Sequence, residues 1–521
     1  MRIGFTSIYS YRPHVEHVFF LAQLARRDGH QPFFLTCNSG LSSCYTREMR
    51  PGTPRIIECT KCAAGGLGSY PAGPYSSIRQ LLNPATPLPE EATAWGESSV
   101  CTMLRTELPA DKDTAEFAGL RERLGRAAGE AFNATCAWIE SHRLEALVFF
   151  NGRKDATRAV LEAANHMGIP FLSVERTWFG DGLMLIPHDS CLGLEELDRM
   201  HREFSQFPLS EVQARRTARL LASRFLRKNT LEWRAYNMNA VAATWPAGQT
   251  GLKLLFLPSS RSETDGHAHG DCAWSDNPAA GFDSLLRELG ASGTNCVLRC
   301  HPVWGEKVGR ADGHYSEDMY SNWARANGVR CIGSSERASS QDLIRQADAI
   351  VVNGSTAGFE AGLLGKPVIG LSPSYYNEAG FQLRYYAPED RGNLDSLRTL
   401  DPRQVARMTL RAAHTLNFRF YQYMNAVRSF TTTRYAYDMG AGSAKFVAAL
   451  KSGHLSADDP TVVHDTSAED MVLDLILSES WDTLWAYRAD DATINANSPL
   501  KRRLWLRPVD AIREAQPRGD L

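Results

Sequence analysis

Residues 349–370 constrain the fold more than any other stretch of this 521-residue chain. Ala349 to Val352 read as a buried strand, Asn353-Gly354-Ser355-Thr356 as a hydroxyl-rich turn, and Pro367–Leu371 as a second strand beyond an intervening helix. That is a βαβ unit, and such units hold ligands at the carboxyl end of the first strand. Amide groups at a helix start, with two hydroxyls beside them, offer a seat for phosphate. Gly354 and Gly358, lacking a Cβ, let backbone approach a ligand closely. Upstream, Val297-Leu298-Arg299-Cys300-His301-Pro302 reads as another strand, ending in Arg299 and His301. Together the two strand ends read as two walls of a site for a nucleoside mono- or diphosphate.

The strand–helix rhythm recurs along the chain. Arg2–Ile8 reads as a strand, His14 to Arg27 as an amphipathic helix and Gln31–Cys37 as the next strand. Residues 63–96, rich in Gly, Pro, Ser and Ala, read as loop or broken helix over a cleft. Thr114 to Ser141 is helical in pattern, Leu144–Phe150 a strand, then a helix to Met167 and a strand Pro170–Val174 ending at Glu175. Ser210 to Ala242 is expected to be helical, Leu252–Pro258 opens a second α/β half, and helices are expected from Asp401 to Leu450. The predicted fold is α/β, with two facing Rossmann-like domains at residues 1–245 and 246–450 and a helical carboxyl-terminal extension at 451–521. A net charge of −2 and a pI near 6.7 argue against a nucleic-acid partner. The amino terminus enters a strand at once and no apolar run is long enough to span a bilayer, so a cytoplasmic chain is expected.

The first unit resembles the opening of glycosyltransferases of the GT-B architecture. More specifically, Leu298-Arg299-Cys300-His301-Pro302, Asp342-Leu343-Ile344, Asn353 through Ala361 and Gly365-Lys366-Pro367-Val368-Ile369 resemble the capsule polysaccharide biosynthesis family. That family includes retaining β-Kdo transferases of capsule and lipopolysaccharide assembly, and the same motifs are similar to bacterial sialyltransferases that use a CMP-sugar. The resemblance runs from about residue 145 to 390. It implies a nucleotide-sugar donor held against Arg299, His301, Ser355, Thr356, Gly354 and Gly358, with a glycan or lipid-linked acceptor and no cofactor needed for catalysis. Kdo or a related acid sugar on CMP is the implied donor; a UDP- or GDP-sugar stays open because no residue reads the base.

Asn151-Gly152-Arg153 and Phe171 through Arg176 resemble the family's strand-end Asn-Gly and Glu-Arg, making Glu175 a candidate general base or nucleophile and Asn151 and Arg153 substrate-orienting residues. Leu257 through Asp265 resembles the segment that carries an acidic residue near the sugar; Glu263 fits best and Asp265 is the register-shifted alternative. A retaining reaction uses a carboxylate nucleophile and an acid/base partner, an inverting one only a base, so the stereochemistry stays open. Tyr375, Tyr376 and Asn377 are candidate nucleotide-pocket residues. His267 and His269 form a His-x-His pattern that reads more readily as a polar loop than as a metal site.

Eleven cysteines suit reduced thiols. Cys37, Cys44, Cys59 and Cys62 are candidates for a structural zinc site, with separately buried thiols as the alternative. Leu500 through Arg507 mixes basic and apolar residues, as a peripheral contact with an inner membrane would, or as an ordinary docked segment. The rival functional readings are a nucleotide-sugar epimerase or hydrolase and a non-catalytic sugar-nucleotide-binding assembly protein.

Overall fold

The computed structural model describes residues 1–71, 73, 75–245, 250–265, 267, 271–307, 310–487, 500–508 and 510–511. Among these residues, twelve strands form two six-stranded sheets. The first holds β1 (Arg2–Thr6), β2 (Gln31–Thr36), β3 (Tyr75–Ser77), β4 (Ala146–Phe150), β5 (Phe171–Arg176) and β6 (Leu183–Pro187) in the order 3-2-1-4-5-6. Its pairings are parallel except for β5 with β6. The second holds β7 (Leu254–Leu257), β8 (Val297–Arg299), β9 (Arg330–Ile332), β10 (Ala349–Val352), β11 (Val368–Gly370) and β12 (Gln382–Arg384), all parallel. Read outward from β7 and β10, the second sheet has the same order as the first. Each half is therefore a doubly wound Rossmann-like unit, so the chain holds the two Rossmann-like α/β domains expected of it.

Sequence explains the central strands directly. Every residue of β4, β7 and β10 is buried, as expected where helices cover both faces of a parallel sheet. The helix His14–Arg27 places Val15, Val18, Phe19, Ala22 and Ala25 in the core, with Glu16 in its first turn and Arg26 and Arg27 in its last. Thr114 caps the long helix Ala115–His142 by accepting the Phe117 amide at 3.1 Å.

Two expectations of helix fail, one at the end of the first half and one in the second. The helix expected over 210–242 covers only Glu211–Phe225, because Arg227 takes a left-handed conformation and the chain continues irregularly. Between Asp401 and Leu450 the helix Pro402–His414 widens through Thr415–Phe420. An antiparallel hairpin follows, β13 (Val427–Thr431) and β14 (Arg434–Tyr437), and the helix Ala444–Ser452 comes after it. Its β-branched and aromatic residues favour a pleated ribbon. This segment returns to the first half: Tyr437 Oη lies 3.0 Å from His17 Nδ1, and Ser443 Oγ donates to Asp28 at 2.8 Å.

The halves also meet through residues 97–112. Thr102 donates to the Ser262 carbonyl (3.0 Å), Arg105 to that of Val303 (3.1 Å), and Lys112 pairs with Asp265 (2.8 Å). Glu107 is buried there, accepting from the Arg261 amide at 3.0 Å and Ser316 Oγ at 2.7 Å. Burial pushes its carboxyl up to about 7, although these hydrogen bonds oppose the shift. A carboxyl that holds its proton more tightly when folded contributes stability below its unfolded pKa and loses it as pH rises through the folded value. Stability is thus expected to fall between about pH 4.5 and pH 7 on this account. Thermal unfolding across that range should show a steeper decline for the native chain than for Glu107→Gln; parallel curves would exclude Glu107 as the titrating group.

Candidate functional site

The second sheet's switch point lies between β7 and β10, where the following loops part. Asn353 pins them: its Oδ1 accepts the Ser259 amide at 2.6 Å, and its Nδ2 donates to the Ser259 carbonyl at 3.3 Å. A cavity of about 370 Å³ opens there. Its walls carry Ser259, Ser260, Arg261 and Glu263 after β7, His301 after β8, Asn353 to Thr356 after β10 and Pro373 to Tyr375 after β11, with Trp178, Leu192 and Leu194 from the first half. His301, Gly354, Ser355, Thr356, Glu263 and Tyr375 thus share one crevice.

Gly354 has φ +83°, which lets the chain turn sharply from β10 into the hydroxyl pair. Ser355 Oγ accepts the Ala357 amide at 3.3 Å, and Thr356 Oγ1 accepts from both terminal nitrogens of Arg224 at 3.3 Å. The following helix, Ala357–Leu363, has only 7 residues, so the hydroxyls and the Arg224 charge matter more here than a long helix dipole. Arg224 is itself held by Glu232 through two 2.8 Å bonds. His301 Nδ1 accepts the Val303 amide at 3.1 Å, which leaves the ring proton on Nε2. Burial, with Arg299, Arg234 and Arg105 acting alongside it and Glu263 opposing, lowers the His301 pKa to about 4. The ring is neutral at pH 7 and can donate one hydrogen bond to an oxyanion.

The two candidate carboxylates sit differently. Glu263 is an exposed side chain on the cavity wall. Glu175, at the end of β5, is not among the lining residues; it accepts from Asn151 Nδ2 at 2.9 Å and from the Arg176 amide at 3.0 Å. Tyr375 lies within electrostatic reach of both: burial raises its phenol pKa, with Cys191, Glu263 and Glu175 adding to the rise.

Several expected ligand contacts are engaged elsewhere. Arg299 donates to the carbonyls of Cys300, Gly333 and Glu336, joining β8 to the turn after β9, and does not line the cavity. Asp265 pairs with Lys112 and accepts from Thr106, which makes Glu263 the carboxylate on the cavity. Arg153 bridges the halves by donating to the Glu263 carbonyl (2.5 Å) and Thr102 (2.9 Å). Asn151, with φ +69°, turns its amide to Glu175 and Cys191 and holds a catalytic candidate rather than a substrate. A Cβ on Gly358 would lie 2.6 Å from Tyr376 Oη, so this glycine makes room for Tyr376, which is buried and donates to the Ser355 carbonyl at 2.7 Å. Asn377 turns away, to Asp198. His267 lies 3.3 Å from Arg158, while His269 lies outside the described residues.

The expected zinc site is not assembled. Cys37, Cys44, Cys59 and Cys62 line a second cavity of about 240 Å³, yet no group of three or more His, Cys, Asp or Glu among the described residues is placed to hold a metal. Cys59 and Cys62 lie in the helix Arg55–Gly65, whereas a metal knuckle needs a tight turn. Burial also raises the Cys62 thiol to about 11, and its Sγ lies 3.8 Å from the Ile8 carbonyl.

Residues that sequence reading passed over include His14, whose Nδ1 lies 3.1 Å from Glu175 Oε1, and Arg224 behind Thr356. Trp178 is a third; its ring meets Tyr375 edge-on at 4.4 Å. His14 had a usable signal, a histidine opening the helix after β1 beside the switch point of the first sheet. Arg224, 132 positions from Thr356, had none.

No protein-family model matches the chain, and no curated protein matches it in sequence. Among solved structures the chain is similar to KpsC, beta Kdo 2,4 transferase, of Thermosulfurimonas dismutans, with 17% identity over 64% of this chain and 87% of that one and a TM-score of 0.32. It is also similar to UDP-GlcNAc 2-epimerase of Methanocaldococcus jannaschii in complex with UDP-GlcNAc and UDP, at 12% identity over 77% and 94%, TM-score 0.29. A third is SsfS6, a glycosyltransferase of Streptomyces sp. SF2575, at 14% over 80% and 95%, TM-score 0.22. Values of this size leave the reading of the site to the chain's own residues.

Proposed function

We propose that the chain is a glycosyltransferase that moves a sugar from a nucleotide donor to a glycan or lipid-linked acceptor in bacterial surface-polysaccharide synthesis. Residues 246–450 form the donor side and 1–245 the acceptor side. The observation that carries this reading is that His301, the Ser355–Thr356 pair and Glu263, from three different strand ends, line one cavity. The donor phosphate sits against the two hydroxyls and the neutral His301 ring. As the bond from the anomeric carbon to the phosphate oxygen breaks, its electron pair leaves with the phosphate, and these donors stabilise the growing charge. Glu263 and Glu175 are the carboxylates for the sugar and the acceptor proton, with His14 and Asn151 orienting Glu175. The sequence resemblance favours CMP-linked Kdo or a related acid sugar as donor.

Membrane contact belongs to the same reading. Arg503 N donates to the Ser69 carbonyl at 2.9 Å, and Arg502 pairs with Asp510, so this end of the chain docks on the first half. Leu504 and Trp505 remain exposed beside Lys501, Arg503 and Arg507, a mixture suited to the surface of an anionic bilayer. Among the described residues no helix is long and apolar enough to cross a membrane.

Calorimetric titration with CMP, UDP and GDP, followed by the matching sugar nucleotides, tests the donor site. One nucleotide is expected to bind, with Ser355→Ala and Thr356→Ala each weakening it about tenfold, as the loss of a hydrogen bond to a charged group predicts. Absence of binding by all three, or full affinity in both variants, would overturn the reading. Donor turnover without any acceptor would point instead to an epimerase or hydrolase.

A further inference from the structure

Arg261 is a charged group on the crevice wall to which the proposed chemistry gives no part. Among the described residues it is the only lysine or arginine lining the cavity, whose wall also carries the carboxylates of Glu263 and Asp271. The His301 ring adds no charge at pH 7, because its pKa is lowered to about 4. Two carboxylates against one guanidinium leave the wall net negative. A nucleoside phosphate brings further negative charge into that space. Its binding calls for a positive group that can turn towards it.

The other arginines near the crevice are engaged. Arg299 donates to the carbonyls of Cys300, Gly333 and Glu336, Arg153 to the Glu263 carbonyl and Thr102, and Arg224 to Glu232 and Thr356. Arg261 differs in kind. Its main chain is fixed: the amide donates to Glu107 at 3.0 Å, and the carbonyl accepts from Thr264 Oγ1 at 3.1 Å and the Asp265 amide at 3.0 Å. Its guanidinium forms no hydrogen bond among the described residues; its ionic neighbour is Asp271, at 3.8 Å, with the two side chains 21% and 61% exposed. An ion pair that long and that open to solvent holds its partners weakly. A pinned backbone carrying a free planar fork lets an arginine exchange one oxyanion for another.

We propose that Arg261 is the cation that receives the donor's phosphate, and that Asp271, which faces it in this structure, is displaced when the donor binds. The inference rests on the glycosyltransferase reading and names the charged contact of its leaving group. Arg261 and Glu263 belong to one short turn, Arg261–Glu263, after β7. That turn presents a cation for the phosphate and a carboxylate for the sugar, the two groups on either side of the bond that breaks. As the bond's electron pair passes to the phosphate oxygen, the guanidinium gains attraction for the growing negative charge. The hydroxyls of Ser355 and Thr356 and the Nε2 proton of His301 supply directional, uncharged hydrogen bonds. Arg261 supplies the charge.

Calorimetric titration with CMP, UDP and GDP, on the native chain and on variants of this pair, tests the assignment. Arg261→Met is expected to weaken the nucleotide that binds by about 10- to 100-fold, as loss of a charged hydrogen-bonded contact predicts. It should also flatten the salt dependence of binding. Arg261→Lys should recover part of the affinity, since it keeps the charge and loses the fork. Because the guanidinium braces nothing, Arg261→Met should melt within about 2 °C of the native chain. Asp271→Asn should tighten binding about threefold in the native background and far less in Arg261→Met, because Asp271 acts by competing for the guanidinium. Native affinity in Arg261→Met overturns the inference, and so does a loss of affinity accompanied by a lower melting temperature, the mark of a structural brace. An equal gain from Asp271→Asn in both backgrounds rejects the exchange. If no nucleotide binds the native chain, the glycosyltransferase reading falls. If one binds, weakens in Ser355→Ala and Thr356→Ala and is unaffected by Arg261→Met, the Arg261 assignment alone falls.

Discussion

Glu263→Gln and Glu175→Gln are each expected to lower turnover by about 10²–10⁴-fold, with donor affinity within a few-fold of the native value. Both changes preserve shape and remove the capacity to take up a proton or attack carbon. Glu263 is exposed on the cavity wall and free to reach a sugar. Glu175 is held by Asn151 Nδ2 and the Arg176 amide, with His14 Nδ1 at 3.1 Å, so a glutamine there would keep its position and lose its charge. The phosphate-binding hydroxyls arise from other strand ends and are untouched, which is why binding and turnover should separate. Steady-state rates alongside calorimetric donor affinities provide the check. Native rates in both variants would remove the carboxylate mechanism, and a loss confined to affinity would recast both residues as binding groups.

The largest structural effect is expected at Glu469. Its carboxylate is fully buried and forms a two-pronged ion pair with Arg411, at 2.8 Å and 2.7 Å. It also accepts the Leu209 amide at 3.2 Å, and Arg411 donates in turn to the Ser205 carbonyl at 3.0 Å. The pair thus ties the helices Pro402–His414 and Ser467–Leu477 to the chain just after the helix Glu195–Phe204. Leu192 and Leu194, just before that helix, line the cavity. Removing one partner leaves a buried charge uncompensated, at a cost of roughly 3–5 kcal/mol. Glu469→Ala is therefore expected to lower the melting temperature by on the order of 10 °C. The double change Glu469→Leu with Arg411→Leu should recover much of the loss, because neither charge then remains. A single variant melting within about 2 °C of the native chain would show that the pair adds little.

Much of the α/β frame was legible in advance because local pattern and burial agree there. The strand Ala349–Val352, the turn through Thr356 and the strand ending at Arg299 stand where apolar runs and small residues placed them. Legibility failed where a residue's environment comes from distant chain. Arg299 and Arg153 looked like ligand-binding cations, yet backbone carbonyls far away in sequence take up their donors. Cys59 and Cys62 have metal-knuckle spacing, but the same spacing suits one face of a helix. The hairpin Val427–Tyr437 falls where a helix is expected from the sequence, because its contact with His17 is long-range and invisible to local pattern.

Side-chain periodicity and glycine's freedom at positive φ act over a few residues, so the order of amino acids is enough to say which stretches become strands and which small, hydroxyl-bearing turns end them. Which charged groups face the crevice and which brace it follows from the assembled fold alone. That choice depends on which groups meet across more than a hundred residues: Arg224 on Thr356, His14 on Glu175, Lys112 on Asp265, and Lys154, whose amine meets the Tyr45 ring and no hydrogen-bond partner among the described residues. A buried charge is costly unless something neutralises it, and only the assembled fold specifies what lies within reach.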